Sequence, residues 1–246
     1  MKSSLPYRTG ERLPLEGGHA LRLSVNPRAR RISIRIDTRA GEAVAVAPSE
    51  RRLGDAVAFA RSRTDWIMER LSARPDGTVL EPGAVLPFRG ASVRLEAVPG
   101  AASARLIEGA DGPRIVSGGE GQAFARRVTN LLRRTARAAL EARTSIHLRA
   151  LGQGPVTVTI NDPASRWGSC TPRSRSIRYS WRVIMAPPAV LDYLAAHEVA
   201  HLVHADHSPS YWSVVRRLVG DPTPFRAWLR EHGAALHAIG RRTGEP

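Results

Sequence analysis

A chain of 246 residues, 42% hydrophobic and 24% charged, can bury a core as one large domain or two modest ones, which excludes a disordered polymer. Its formal charge of +15 admits an anionic partner such as a nucleotide or nonspecific nucleic acid, although every cation except Lys2 is arginine, the composition a G+C-rich genome imposes. No apolar run reaches bilayer length, the N-terminal MKSSLPYRTGERLPLEGG lacks a secretory apolar core, and the lone Cys170 rules out an internal disulfide, so a cytoplasmic protein with no membrane partner is expected.

In chain order, Leu21, Leu23 and Val25 alternate with polar residues, as do Ile32, Ile34 and Ile36, and then Val44 and Val46. These are period-two strands separated by turn signals at Asn26-Pro27 and Asp37 to Gly41. Ser49 is placed to cap one helix running to about Ala73, with Leu53, Val57, Ala60, Ile67 and Leu71 inward. Strand-like runs follow at Val85 to Phe88 and Val93 to Val98. This makes residues 1–100 a β-rich region with one helix. The Gly, Ala and Pro of residues 101–121 suggest a linker or a weak hairpin.

Residues 122–246 are expected to hold the chemistry. A long amphipathic helix is predicted from Gln122 to Leu148, with Phe124, Val128, Leu131, Leu132, Ala136 and Leu140 in its apolar stripe and a solvated arginine face opposite. Two strands, Val156 to Ile160 and Ile177 to Val183, precede three helices. The fold class is α+β, with an active-site helix beside a small sheet.

That helix opens at Pro187-Pro188 and carries His197, Glu198 and His201. Histidines four apart project from one helical face and can bind one ion, and the glutamate beside the first can reach a water on that ion without binding it. This is the logic of an HExxH zinc site, with Glu198 as general base in the attack on a carbonyl. Leu191, Leu194 and Leu202 flank the pair, so the helix is largely buried, and a buried histidine pair needs partners. The third ligand falls to His207, beyond a turn at Ala205-Asp206; His204 and Glu231 compete for the position.

Two blocks, SRWGSC (Ser165 to Cys170) and HEVAHLVHADHSPSYW (His197 to Trp212), resemble the YgjP-like metallopeptidases, zincin-like hydrolases related to SprT-like proteases. NPRARRISIRID (Asn26 to Asp37) and the Trp66-Ile67 helix are similar to the family's N-terminal part. The resemblance implies one zinc on His197, His201 and His207, catalysis by Glu198, and substrate contacts at Arg166, Gly168 and Ser169, where an exposed strand could pair with a peptide. Gly168 would admit close approach of a substrate chain. Tyr211 stands where the family usually has phenylalanine, and Ser180 where asparagine is common. Cys170, Trp167 and Tyr193 read as packing residues.

A cytoplasmic zinc metallopeptidase acting on protein or peptide is the leading expectation. A nucleoside triphosphate pyrophosphohydrolase is the alternative, with Arg166, Arg173, Arg175, Arg178 and Arg182 as a phosphate clamp. A DNA-associated protease of SprT-like type is the third, using the arginine face of the long helix.

Overall fold

The computed structural model describes residues 6–37, 40–72, 77–109, 112–163 and 166–240. They form two compact units, one up to residue 72 and one from residue 77.

The first unit is a four-stranded sheet of β1 (Arg12–Pro14), β2 (Ala20–Val25), β3 (Ser33–Asp37) and β4 (Glu42–Ala47), in the order β1-β2-β4-β3. β2 and β4 pair in parallel and the other neighbours antiparallel. Period two puts Leu21 and Leu23 beside Ala43, Ala45 and Ala47 on one face. Leu53, Ala56, Val57 and Ala60 of α1 (Leu53–Arg61) and Ile67 and Leu71 of α2 (Thr64–Ser72) cover it. The single helix expected from Ser49 is therefore two; its expected end, Ala73, lies outside the described residues. Ser49 precedes only a short 3₁₀ turn and makes no side-chain cap. At the break, Ser62 Oγ donates to the Phe59 carbonyl (2.9 Å) and Thr64 Oγ1 to the Arg61 carbonyl (2.8 Å), hydroxyls that compete with the amides a continuing helix would use.

The second unit takes in the described residues from 77 onward, whereas the composition suggested a domain from residue 122 after a linker at 101–121. β5 (Val85–Phe88), β6 (Ala91–Ala97), β7 (Arg105–Ile107) and β8 (Arg114–Ser117) form a sheet ordered β5-β6-β8-β7, and residues 101–121 contribute its antiparallel β7–β8 pair. Leu86, Phe88, Val93, Leu95 and Ile115 from this sheet share one core with Phe124, Val128, Leu132, Ala136 and Leu140 of α3 (Gly121–Ala150). That shared core is why the division falls before Asp76 rather than near residue 100.

A second sheet, β10 (Gly168–Thr171), β11 (Ser176–Ser180) and β9 (Thr157–Asn161) in that order, leaves β10 with a free edge among the described residues. The run expected as a strand to Val183 becomes a 3₁₀ turn at Trp181–Met185. Three helices follow: α4 (Pro188–Ala200), α5 (Pro209–Val219) and α6 (Thr223–Ala238). Arg182 is buried in the turn and ties it to the end of α6. Its Nε donates to Asp162 (2.7 Å), and its Nη1 donates to the Leu236 carbonyl (3.1 Å) and to that of Ile239. No helix among the described residues is long and apolar enough to cross a membrane.

Candidate metal centre

α4 is apolar almost all round, so it is buried on two sides. Val190, Leu191, Leu194 and Val199 join the main core, while Tyr193 and Ala200 join a smaller cluster with Tyr211 and Val215 of α5. Asp192 anchors it to α3 by accepting from Arg143 Nε and pairing with His147 Nε2, both at 2.6 Å. Burial alone would raise the Asp192 carboxyl; these two partners outweigh it and hold the group at about 2.

The helix stops as soon as the second histidine is in place. His201 is its C-terminal cap, and the amides of Val203 and His204 both return to the Ala200 carbonyl (3.0 Å each). The turn this makes leads to His207. There Ser208 starts α5, its Oγ accepting from Tyr211 N (3.4 Å), with Pro209 in the first turn. One ring nitrogen from each of His197, His201 and His207 then lies within 4.8 Å of the others, and Nε2 of His207 is 3.3 Å from Nε2 of His197. Among the described residues, these three are the group with metal-holding geometry. His204 instead supplies a backbone carbonyl, and the Glu231 side chain is 78% exposed.

The surroundings orient these nitrogens. His201 Nδ1 lies 3.2 Å from the His204 carbonyl; a carbonyl only accepts, so this nitrogen carries the proton and Nε2 keeps its lone pair. His197 Nδ1 faces the Tyr193 hydroxyl at 3.3 Å, and Tyr211 donates to the His197 carbonyl at 3.0 Å. Burial, with His201 and His207 alongside, pushes His197 down to about 3, and burial lowers His201 as well. Three imidazoles converging with no carboxylate among them form the donor set of a zinc-type centre, and a divalent ion fits it.

Glu198 is 3% exposed, and burial pushes its carboxyl up to about 8. It rests against Gly168 on β10. A Cβ on that glycine would stand 2.8 Å from both Cγ and Cδ of Glu198, and closer still to Oε1. The absence of a side chain at position 168 is what lets the carboxylate occupy its place.

Comparison with known families decides the kinship: the model of the YgjP-like metallopeptidase domain matches residues 30–232. The chain belongs to the YgjP-like metallopeptidase family. As a member it is a metal-dependent hydrolase. No curated protein sequence matches it. A solved structure, the metallopeptidase zymogen of Pyrococcus abyssi abylysin, is 21% identical, covers 37% of this chain and 93% of its own, and aligns with a TM-score of 0.35.

In this YgjP-like chain the other residues singled out by sequence take varied places. The space at Gly168 is filled by Glu198 rather than left for a substrate chain. Ser169 pairs in register with Arg178 while Gly168 pairs with Tyr179, so strand alternation points the Ser169 side chain to the face opposite Glu198. Arg166 is exposed just before β10, and Ser165 lies outside the described residues. Trp167 packs against the main core with its ring 4.3 Å from that of His237. Cys170, raised to about 11 by burial and by Glu198, is a protonated thiol at neutral pH. Ser180 is buried and caps the 3₁₀ turn by accepting from Arg182 N.

The five-arginine phosphate clamp does not assemble. Arg182 is buried on Asp162, and Arg175 donates to the carbonyls of Gly154 (2.5 Å) and Pro155 (3.0 Å). Arg178 lies on the face opposite Glu198. Sequence reading took Tyr193 as a packing residue and Tyr211 as a departure from the family's phenylalanine, whereas both touch His197. Tyr193 precedes His197 by four, the same spacing that identified His201, and that spacing was the available signal.

Proposed function

We propose that this chain is a zinc-dependent, cytoplasmic peptidase in which His197, His201 and His207 hold the ion and Glu198 is the general base. The observation that carries the reading is the convergence of one ring nitrogen from each of three histidines beside a buried carboxylate. Bound there, zinc would lower the pKa of a water to about 7 and act as a Lewis acid for the carbonyl. Glu198, oriented by its contact with Gly168, takes a proton on a carboxylate oxygen and returns it to the leaving amine. Burial raises its proton affinity, which suits the return of the proton, and a divalent cation alongside would favour the carboxylate form that takes it.

The free edge of β10 presents backbone donors and acceptors to an extended peptide, and it runs past Glu198. An unfolded or extended protein segment is therefore the substrate this site suits. Metal content and turnover should separate cleanly in variants. Glu198→Gln keeps one zinc per chain and loses proteolysis of unfolded casein, whereas His207→Ala loses zinc. Retention of full cleavage by Glu198→Gln would remove Glu198 from the mechanism.

A further inference from the structure

The wall of the metal centre on the α6 side carries a cation. Arg226 lies exposed on α6, and its guanidinium carbon stands 4.5 Å from the Trp212 ring centroid. Trp212 stacks in turn on His207 (5.8 Å, 27°) and lies 6.0 Å from His197. Cations outnumber carboxylates in this chain, 37 Lys and Arg against 22 Asp and Glu, so an arginine without a carboxylate is ordinary. Arg226 differs in where it stands: one aromatic ring separates it from two predicted ligands. Its charge also reaches Tyr193 and Tyr211.

A guanidinium lying on an aromatic ring uses its face, so its N–H edge stays free and already oriented. Among the described residues no carboxylate forms an ion pair with Arg226. The other arginines anchoring this unit are occupied, Arg143 by Asp192 and Arg182 by Asp162. A peptide advances about 3.4 Å per residue, so a fork this close to the ligands falls within about three residues of the attacked carbonyl.

We propose that Arg226 is a specificity-determining residue that binds a carboxylate on the substrate within a few residues of the scissile bond. The inference rests on the peptidase reading above. The carboxylate has two sources, an acidic side chain or the C-terminus of the substrate, and the fork recognises both by the same bidentate geometry.

The test is binding, which does not depend on turnover. Zinc-loaded Glu198→Gln protein is titrated with Ala-Gly octapeptides bearing a single Glu, Gln or Lys at successive positions, each as free acid and as C-terminal amide. At one or more positions the Glu peptide should bind about tenfold tighter than its Gln counterpart. If the C-terminus is the source, the free acid should bind about tenfold tighter than the amide. Adding Arg226→Gln should abolish the difference, and adding Arg226→Glu should invert it in favour of Lys. Arg230→Glu, the same charge change at an exposed site on the same helix, should leave the preference intact. Circular dichroism confirms that each variant folds, and Arg226→Lys, which keeps charge but loses the fork, should retain part of the preference. Equal binding of all peptides, a preference that survives Arg226→Glu, or no peptide binding at all overturns the assignment. Casein cleavage by wild type tests the parent reading separately.

Discussion

Gly168→Ala isolates the contact between β10 and α4. The backbone at Gly168 is not in the left-handed region, so alanine suits it, and elsewhere such a change stabilises by about 0.4–1 kcal/mol through the unfolded chain. Here the added methyl stands 2.8 Å from Cγ and Cδ of Glu198, short of an ordinary carbon contact by roughly 0.7 Å. Both partners are held: β10 is bonded to β11 over four residue pairs, and Glu198 is in a buried helix. Overpacking of this kind costs about 1–3 kcal/mol, so the net loss should be about 1–2 kcal/mol. A carboxylate displaced by that distance should lose on the order of 10²-fold in kcat. Urea denaturation gives the stability and casein proteolysis the rate. The cause is separated by a double-mutant cycle: in a Glu198→Ala background the clash partner is gone, and Gly168→Ala should become neutral or slightly stabilising. A Gly168→Ala protein with wild-type activity, or one equally destabilised in both backgrounds, refutes the reasoning.

Three further outcomes follow from contacts around the site. Arg182→Met removes the buried guanidinium that bonds Asp162 and two carbonyls at the end of α6, and should cost about 3 kcal/mol in urea unfolding. Tyr193→Phe removes the hydroxyl facing His197 Nδ1 and should weaken zinc binding about tenfold in competition with a chelator, without lowering the unfolding midpoint of the metal-free protein by a comparable factor. Asp192 is held at about 2 against an ordinary 3.8. Because its folded value is depressed, its contribution is complete above about pH 4 and disappears as the pH falls towards 2. Asp192→Asn should therefore flatten the stability profile in that window, and an unchanged acid slope would count against the Arg143–Asp192–His147 link.

The part of the site most legible in the sequence was the part set by helical periodicity. His197 and His201 share a face because they are four apart, and the turn that brings His207 back was signalled by Ala205-Asp206, while the Ser208-Pro209 start of α5 emerged only in the structure. What was hidden depended on packing between distant segments. Nothing local tells Gly168 that its neighbour is Glu198, thirty residues on, rather than a substrate. The sheet from Val85 to Ser117 was separated from α3 because Gly, Ala and Pro between them resemble a linker, although its leucines and valines share α3's core. The same holds for Arg182, which looked like one of several strand arginines and is instead a buried clamp on the end of α6.

The central claim, hydrolysis of peptide bonds by this centre, is tested most directly by offering both candidate substrates to the same preparations. Zinc-loaded wild type and Glu198→Gln are incubated in parallel with unfolded casein and with nucleoside triphosphates, reading new peptide termini by mass spectrometry and released phosphate or pyrophosphate by colorimetry. The account predicts new termini from wild type alone and no phosphate release by either protein. Phosphate or pyrophosphate release by wild type alone, with casein intact, would contradict it.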